Sequence, residues 1–206
     1  MAKRAYAMEF FKRPETFEGT CPVCNMLYVK EESDDRIMHE AYHREIVDVF
    51  EPKPSVTLAK LFIRHGQLVP VRSDSPRPIR RRLARISRVF KKEFGAGFTM
   101  YEEAEDTGDG YLIVGSDGRA VGGFVVRWME YENEPARWVL CWVWIAPSHR
   151  RRGLMQTAWL MVHDKYPNIE PDPPFSKGAA LFFANREDVP DDIRKYAQSQ
   201  LAADNF

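Results

Sequence analysis

Four residues constrain this chain more than any others: Cys21, Cys24, His39 and His43, spaced C-x2-C-x14-H-x3-H. A C-x-x-C knuckle sets two thiolates on one side of a small site, and histidines four apart on a helix project from one face. Two sulfur and two nitrogen donors so arranged suit a tetrahedral Zn2+ and leave no open position for a catalytic water. The expectation is one closed, structural zinc in a C2H2 finger within residues 1–50. Asn25 follows the knuckle where the chain needs a left-handed residue, a conformation Asn tolerates. The segment leading to His39 carries Glu31, Glu32, Asp34 and Asp35. That is the wrong sign for phosphate, and single fingers rarely read DNA alone, so the finger is not expected to do so.

Beyond the finger there is material for a second, larger core, since 44% of the 206 residues are hydrophobic. Three cysteines, two of them in the knuckle, make no disulfide framework. A reducing compartment is expected: cytoplasmic, or nuclear in a eukaryotic host. The longest strongly apolar run, Trp138 to Ala146, is nine residues, about half of the ~18–20 a membrane helix needs. The N-terminal stretch is charged every few residues without an apolar core, so neither a secretory leader nor a membrane partner is expected. The zero net charge hides a pattern. Residues 61–100 hold 10 basic and 2 acidic side chains, and residues 101–135 hold 2 and 9. Two such blocks either pair internally or face different partners.

A connector around Pro52 and Pro54 separates the finger from a domain over residues 55–206. Leu61 to Val71, FIRH-GQ-LVPV, reads as a β-hairpin turning at Gly66. From Pro78 to Phe94, Ile79, Leu83, Ile86, Phe90 and Phe94 recur at helical spacing. Arg80, Arg81, Arg82, Arg85, Arg88, Lys91 and Lys92 fill its other faces. This basic stretch, residues 80–92, is either a solvated face over a sheet or a dock for nucleic acid or an acidic partner. Strands follow at Tyr111–Val114, Ala120–Trp128 and Trp138–Ile145, the last apolar on both faces and therefore expected to be central. A helix from about Gly153 to Lys165, a short strand at Ile169–Glu170 and a last helix near Lys177 complete an α+β fold: a mixed sheet flanked by helices.

The strand Trp138–Ile145 runs through Ala146, Pro147, Ser148 and His149 into Arg150-Arg151-Arg152-Gly153 and then the helix of Leu154, Met155 and Gln156. Free backbone amides, a helix N-terminus and arginines converge there, which makes an anion site. One glycine is too few for a P-loop or a dinucleotide fingerprint. The pattern Arg150-x-x-Gly153-x-Met155 resembles the pyrophosphate turn of the GNAT acyltransferases, with Met155 in place of the usual small residue.

With the finger upstream, the chain from about Phe17 to Ala184 resembles the cohesion-establishment (ESCO-type) acetyltransferases, which join a small C2H2 finger to a GNAT domain. The resemblance is carried by Cys21 to Tyr28 (C-P-V-C-N-M-L-Y), His39 to His43, Val121-Gly122-Gly123, Cys141 to Ile145, the Arg150 turn, and Glu170 to Pro174 with Gly178 and Phe183-Ala184. It implies a GNAT-type sheet, acetyl-CoA as cosubstrate and direct acetyl transfer to a lysine amine of a protein. The backbone of Val143, Trp144 and Ile145 would hold the pantetheine arm. Arg150, Arg151, Arg152 and Gly153, with Leu154, Met155 and Gln156, would hold the pyrophosphate. Asp172, with Glu170 as understudy, is the candidate proton acceptor, and Cys141 stands where the family has a Ser. The departures at Cys141, Met155 and Leu160 leave a second reading open: a zinc-bearing adaptor or nucleic-acid-associated protein in which the site has decayed.

Overall fold

Two strands too short to stand alone open the chain that the computed structural model describes, which comprises residues 18–96, 101–103 and 108–203. The charged N-terminal stretch lies outside the described residues. β1 (Glu18–Thr20) pairs antiparallel with β2 (Leu27–Val29). The knuckle between them closes through Asn25 N–H to Cys21 O at 2.8 Å and Cys21 N–H to Met26 O at 3.0 Å. Asn25 takes φ 53°, the left-handed turn anticipated for it. Helix α1 (Ser33–Phe50) begins with Asp34 and Asp35 at its positive end, and Asp35 accepts the Val29 amide at 3.1 Å. The chain divides into two compact units, Met1–Val47 and Asp48–Phe206.

The second unit is a five-stranded mixed sheet in the order β3 (Leu68–Val71), β4 (Asp109–Val114), β5 (Ala120–Met129), β6 (Arg137–Ile145), β7 (Glu170–Pro171). The first four strands run antiparallel, and β7 joins β6 in parallel. Helix α3 (Arg77–Phe94) starts with Pro78 in its first turn and ends on left-handed Gly95. Its buried Leu83 and Ile86 lie on one face of the sheet, so close that a Cβ on Gly123 would stand 2.7 Å from Leu83 Cδ1 and 2.9 Å from Tyr111 O. Glycine is required there by close approach. The alternating residues Tyr111, Ile113, Phe124 and Val126 point to the opposite face. There they share a core with Trp159 and Val162 of α4 (Leu154–Lys165), Phe183 of α5 (Lys177–Phe183) and Ala197 of α6 (Asp191–Ala203).

Three sequence expectations are corrected. Leu61 to Val71 is not a hairpin: its first half belongs to α2 (Val56–His65), and only Leu68–Val71 is strand. Ser55 caps that helix by accepting the Leu58 amide, and Gly66, with φ 74°, ends it. Gly66 therefore punctuates a helix rather than a two-residue turn. The central strand is β5, with β6 beside it. After Lys177 there are two helices, because the Ile193, Ala197, Leu201 spacing builds α6 beyond α5. Among the described residues no helix is long and apolar enough to cross a membrane.

Candidate metal centre and acyl-transfer cleft

The knuckle supplies two sulfurs and α1 two imidazoles. The ligand atoms of Cys21, Cys24, His39 and His43 lie within 4.8 Å of one another, with Cys21 Sγ 3.4 Å from His43 Nδ1. Both thiols are buried. The His39 ring stacks on Tyr28 at 3.9 Å between centroids, and its buried Nε2 has no hydrogen-bond partner. A buried imidazole nitrogen without a partner beside two thiols fits a metal ion that would complete it. The Cys24 amide, ahead of the Val23 amide and the two histidines, holds the Cys21 thiol down at about 5 against the upward push of burial. The thiolate form that zinc requires is therefore the resting form.

The second site opens where β7 leaves β6. The two strands pair only at Val139–Glu170 and Leu140–Pro171, and the last contact is Asp172 N–H to Leu140 O at 3.1 Å. On the other side of β6, Val125 pairs with Trp142 and Val126 with Leu140, so Cys141 is the extra residue of a β-bulge. Ala146 N–H bonds to Val121 O. Alternation along the strand therefore aims the amides of Val143 and Ile145 at the edge that β7 has vacated. Trp144 itself is 2% exposed, a packing residue beside that edge.

A cleft of about 520 Å3 fills the fork, lined by Phe90 and Phe94 of α3, Cys141 to Val143 of β6, Asp172 to Ser176, and Ala179 and Phe183 of α5. Asp172 and Cys141 both face it, and the two interact electrostatically. Burial raises the carboxyl pKa of Asp172, against the smaller downward pull of Arg137. Burial also pushes the Cys141 thiol up to about 11. Glu170 is engaged elsewhere: its Oε2 lies 2.7 Å from Arg137 Nε.

Beyond β6 a short 3-10 turn (Pro147–His149) leads to the arginines. Arg151 takes a left-handed φ of 59° and Gly153 one of 76°. Nothing lies within 4 Å of where a Gly153 Cβ would be, which leaves the N-terminus of the twelve-residue α4 uncovered for an anion. Arg151 and Arg152 are exposed. Arg150 is held: its Nε donates to Ile145 O at 2.8 Å, and one terminal nitrogen reaches both Glu93 oxygens at 2.9 and 3.1 Å. Leu154 and Met155 pack partly buried against the core, and Gln156 accepts from Arg186 at 2.6 Å. Open amides, an open helix start and exposed arginines suit an extended, anionic ligand. The sequence reading passed over Glu93. Its signal was an acid in the last turn of a basic helix, where the macrodipole disfavours it.

Two family models match. One, described as the zinc-finger of acetyl-transferase ESCO, covers residues 11–45, and the other, the acetyltransferase (GNAT) family, covers residues 80–168. Residues 80–168 thus form a GNAT acetyltransferase domain, and the chain is an acyltransferase that uses acetyl-CoA. The finger ahead of it is of the ESCO type and holds one zinc, so the chain joins the two parts that the cohesion-establishment acetyltransferases join. Solved structures similar to this chain include the xEco2 acetyltransferase domain, at 13% identity, TM-score 0.44, covering 64% of this chain and 85% of that one. They also include the aminoglycoside N-acetyltransferase AAC(6')-Iy in complex with CoA, at 15% identity, TM-score 0.38, covering 56% and 84%. A third is an aminoglycoside acetyltransferase from an uncultured soil metagenomic sample, at 16% identity, TM-score 0.39, covering 60% and 93%. No curated protein matches the chain.

Proposed function

We propose that the chain acetylates a lysine side chain of a protein by direct transfer, with Asp172 accepting the amine proton. One observation carries this reading: the two reactive side chains in the cleft are tuned apart. A thiol pushed up to about 11 is protonated near neutrality and is a poor nucleophile. A carboxyl raised by burial is a better base than a solvated one. An ordinary lysine has a pKa of ~10.4, so freeing its amine at pH 7 costs about 4–5 kcal/mol unless a base is at hand.

Acetyl-CoA supplies an activated acyl group as a thioester. Asp172 takes one proton from the ammonium, the freed nitrogen forms the new C–N bond at the thioester carbon, and the C–S bond breaks. The second amine proton goes with the leaving sulfur, and the acetylated amide and free thiol result. The amides of Val143 and Ile145 would hold the pantetheine arm as an added strand does. Exposed Arg151 and Arg152, with Gly153, would neutralise the pyrophosphate. In this reading residues 1–50 are a separate zinc-built module and residues 55–206 the catalytic domain. The basic face of α3 then takes an acidic partner or nucleic acid.

Two variants test the mechanism. Asp172→Asn should lower transfer about 10²–10⁴-fold with acetyl-CoA affinity nearly unchanged. Cys141→Ser should cost less than about tenfold under direct transfer and nearly abolish turnover under a cysteine-linked acyl-enzyme. An active Asp172→Asn protein beside a dead Cys141→Ser protein, with acetyl-cysteine trapped by mass spectrometry, would overturn it. A wild-type chain that binds no acetyl-CoA in calorimetry would instead favour the adaptor reading.

A further inference from the structure

Arg150 opens the R-x-x-G pattern, and the pattern alone would make it a phosphate ligand. Its surroundings differ from those of its neighbours. The Arg150 guanidinium bonds both oxygens of Glu93 and the carbonyl of Ile145, and it lies 5.8 Å from the Trp144 ring. Glu93 in turn accepts the Trp144 indole N–H at 2.7 Å. One carboxylate at the end of α3 thus ties together the buried tryptophan of β6 and the first arginine of the turn. Arg151 and Arg152, by contrast, make no hydrogen bond or ion pair with any described residue. An exposed ion pair alone contributes little. This one is doubly bonded, shares its carboxylate with an indole and closes a ring from α3 through β6 to the turn, which makes it a geometric constraint.

We infer that Glu93 is a positioning residue for acetyl-CoA, acting through Arg150, and that Arg150 is a strut fixing the turn rather than a ligand of the pyrophosphate. Charge leads to the same division: Arg150 is neutralised by Glu93, and the cationic charge offered to an anion comes from Arg151 and Arg152. The inference rests on the acetyl-CoA reading of this turn.

Calorimetric titration of the full-length protein with acetyl-CoA at several salt concentrations tests it, because the two roles predict opposite signs. If Arg150 is a strut, Glu93→Gln loosens the turn. Affinity should fall roughly tenfold, with KM for acetyl-CoA rising and kcat little changed. Arg150→Met and the double variant Glu93→Gln/Arg150→Met should fall about as far as the single, because the pair acts as one unit. The double variant removes a neutral pair, so its salt dependence should match wild type, whereas Arg151→Ala should flatten it. In the free protein, Glu93→Gln should also shift the near-ultraviolet signal of Trp144, which loses a charged partner.

If Arg150 is a ligand that Glu93 merely competes for, Glu93→Gln should bind acetyl-CoA more tightly, and the double variant should lose salt dependence. Tighter or unchanged binding by a folded Glu93→Gln protein, or a flattened salt dependence in the double variant, overturns the inference while leaving the cofactor reading intact. A wild-type protein without acetyl-CoA affinity overturns both.

Discussion

In the finger, among residues 18–47, the buried apolar side chains are Cys21, Cys24 and Ile46, and two of these belong to the Cys/His cluster that could hold a metal ion. In the transferase unit, Leu112, Ile113, Val114, Val125 and Val126 are fully enclosed on two adjacent strands. One region is organised by coordination bonds and the other by removal of apolar surface from water. The difference shows in their secondary structure. The finger's three-residue strands are too short to persist without a staple, while the ten residues of β5 run between neighbours on both sides. A short segment can be rigid if a metal ties it, and a long one needs no such tie.

The largest effect that tests this contrast is metal removal. Zinc should supply on the order of 10 kcal/mol of folding energy to the finger. Chelation, or Cys24→Ala, should collapse the amide dispersion of residues 18–47 in NMR spectra while the signals of β4, β5 and β6 keep theirs. A finger spectrum unchanged after chelation would break the comparison. Next comes the core. Phe124 is 1% exposed and stacks on Tyr111 at 4.8 Å between centroids. Phe124→Ala should cost about 3–5 kcal/mol, read as a lower melting temperature, with zinc content unchanged by metal analysis.

The smallest effect concerns acid. Hydrogen bonds from Arg186, helped by the indole N–H of Trp159, hold the Asp188 carboxyl down at about 2, below the ~3.9 of an unfolded chain. The unfolded state therefore binds more protons across that interval. The stabilisation is complete above pH ~4 and is lost as pH falls toward 2. Asp188→Asn should flatten the pH dependence of melting in that window, and an unchanged slope would remove Asp188 from the account.

The finger was readable from spacing alone because tetrahedral coordination admits few arrangements, and Asn25 took its left-handed place. The α3 stripe was readable because it buries one helical period, and the strands at Tyr111, Ala120 and Trp138 because short apolar runs rich in β-branched and aromatic residues suit strands. The segment 61–71 misled because its apolar residues suit either period. The deciding marks, Ser55 and Gly66, stand at either end of a ten-residue helix that begins before the apolar run. The cleft was legible in its members, since Cys141 and Asp172 were both singled out. Its opening was not, since no local pattern says that the proline-rich stretch after Glu170 lies beside β6 rather than beside another strand. The Glu93 link to Trp144 and Arg150 spans 51 and 57 positions, and no local periodicity reports such a contact.

The parting of those strands has its own chemistry. A zipper of β-strands advances by amide donors, and the segment that would extend β7 is Pro171-Asp172-Pro173-Pro174. Proline has no N–H to donate, so the single amide in this stretch is the one Asp172 already gives to Leu140. Continued pairing past Asp172 would therefore rely on the amides of β6 alone as donors, which is about half of a normal parallel ladder. The edge of β6 beyond Leu140 is thus only weakly contested by the protein's own β7.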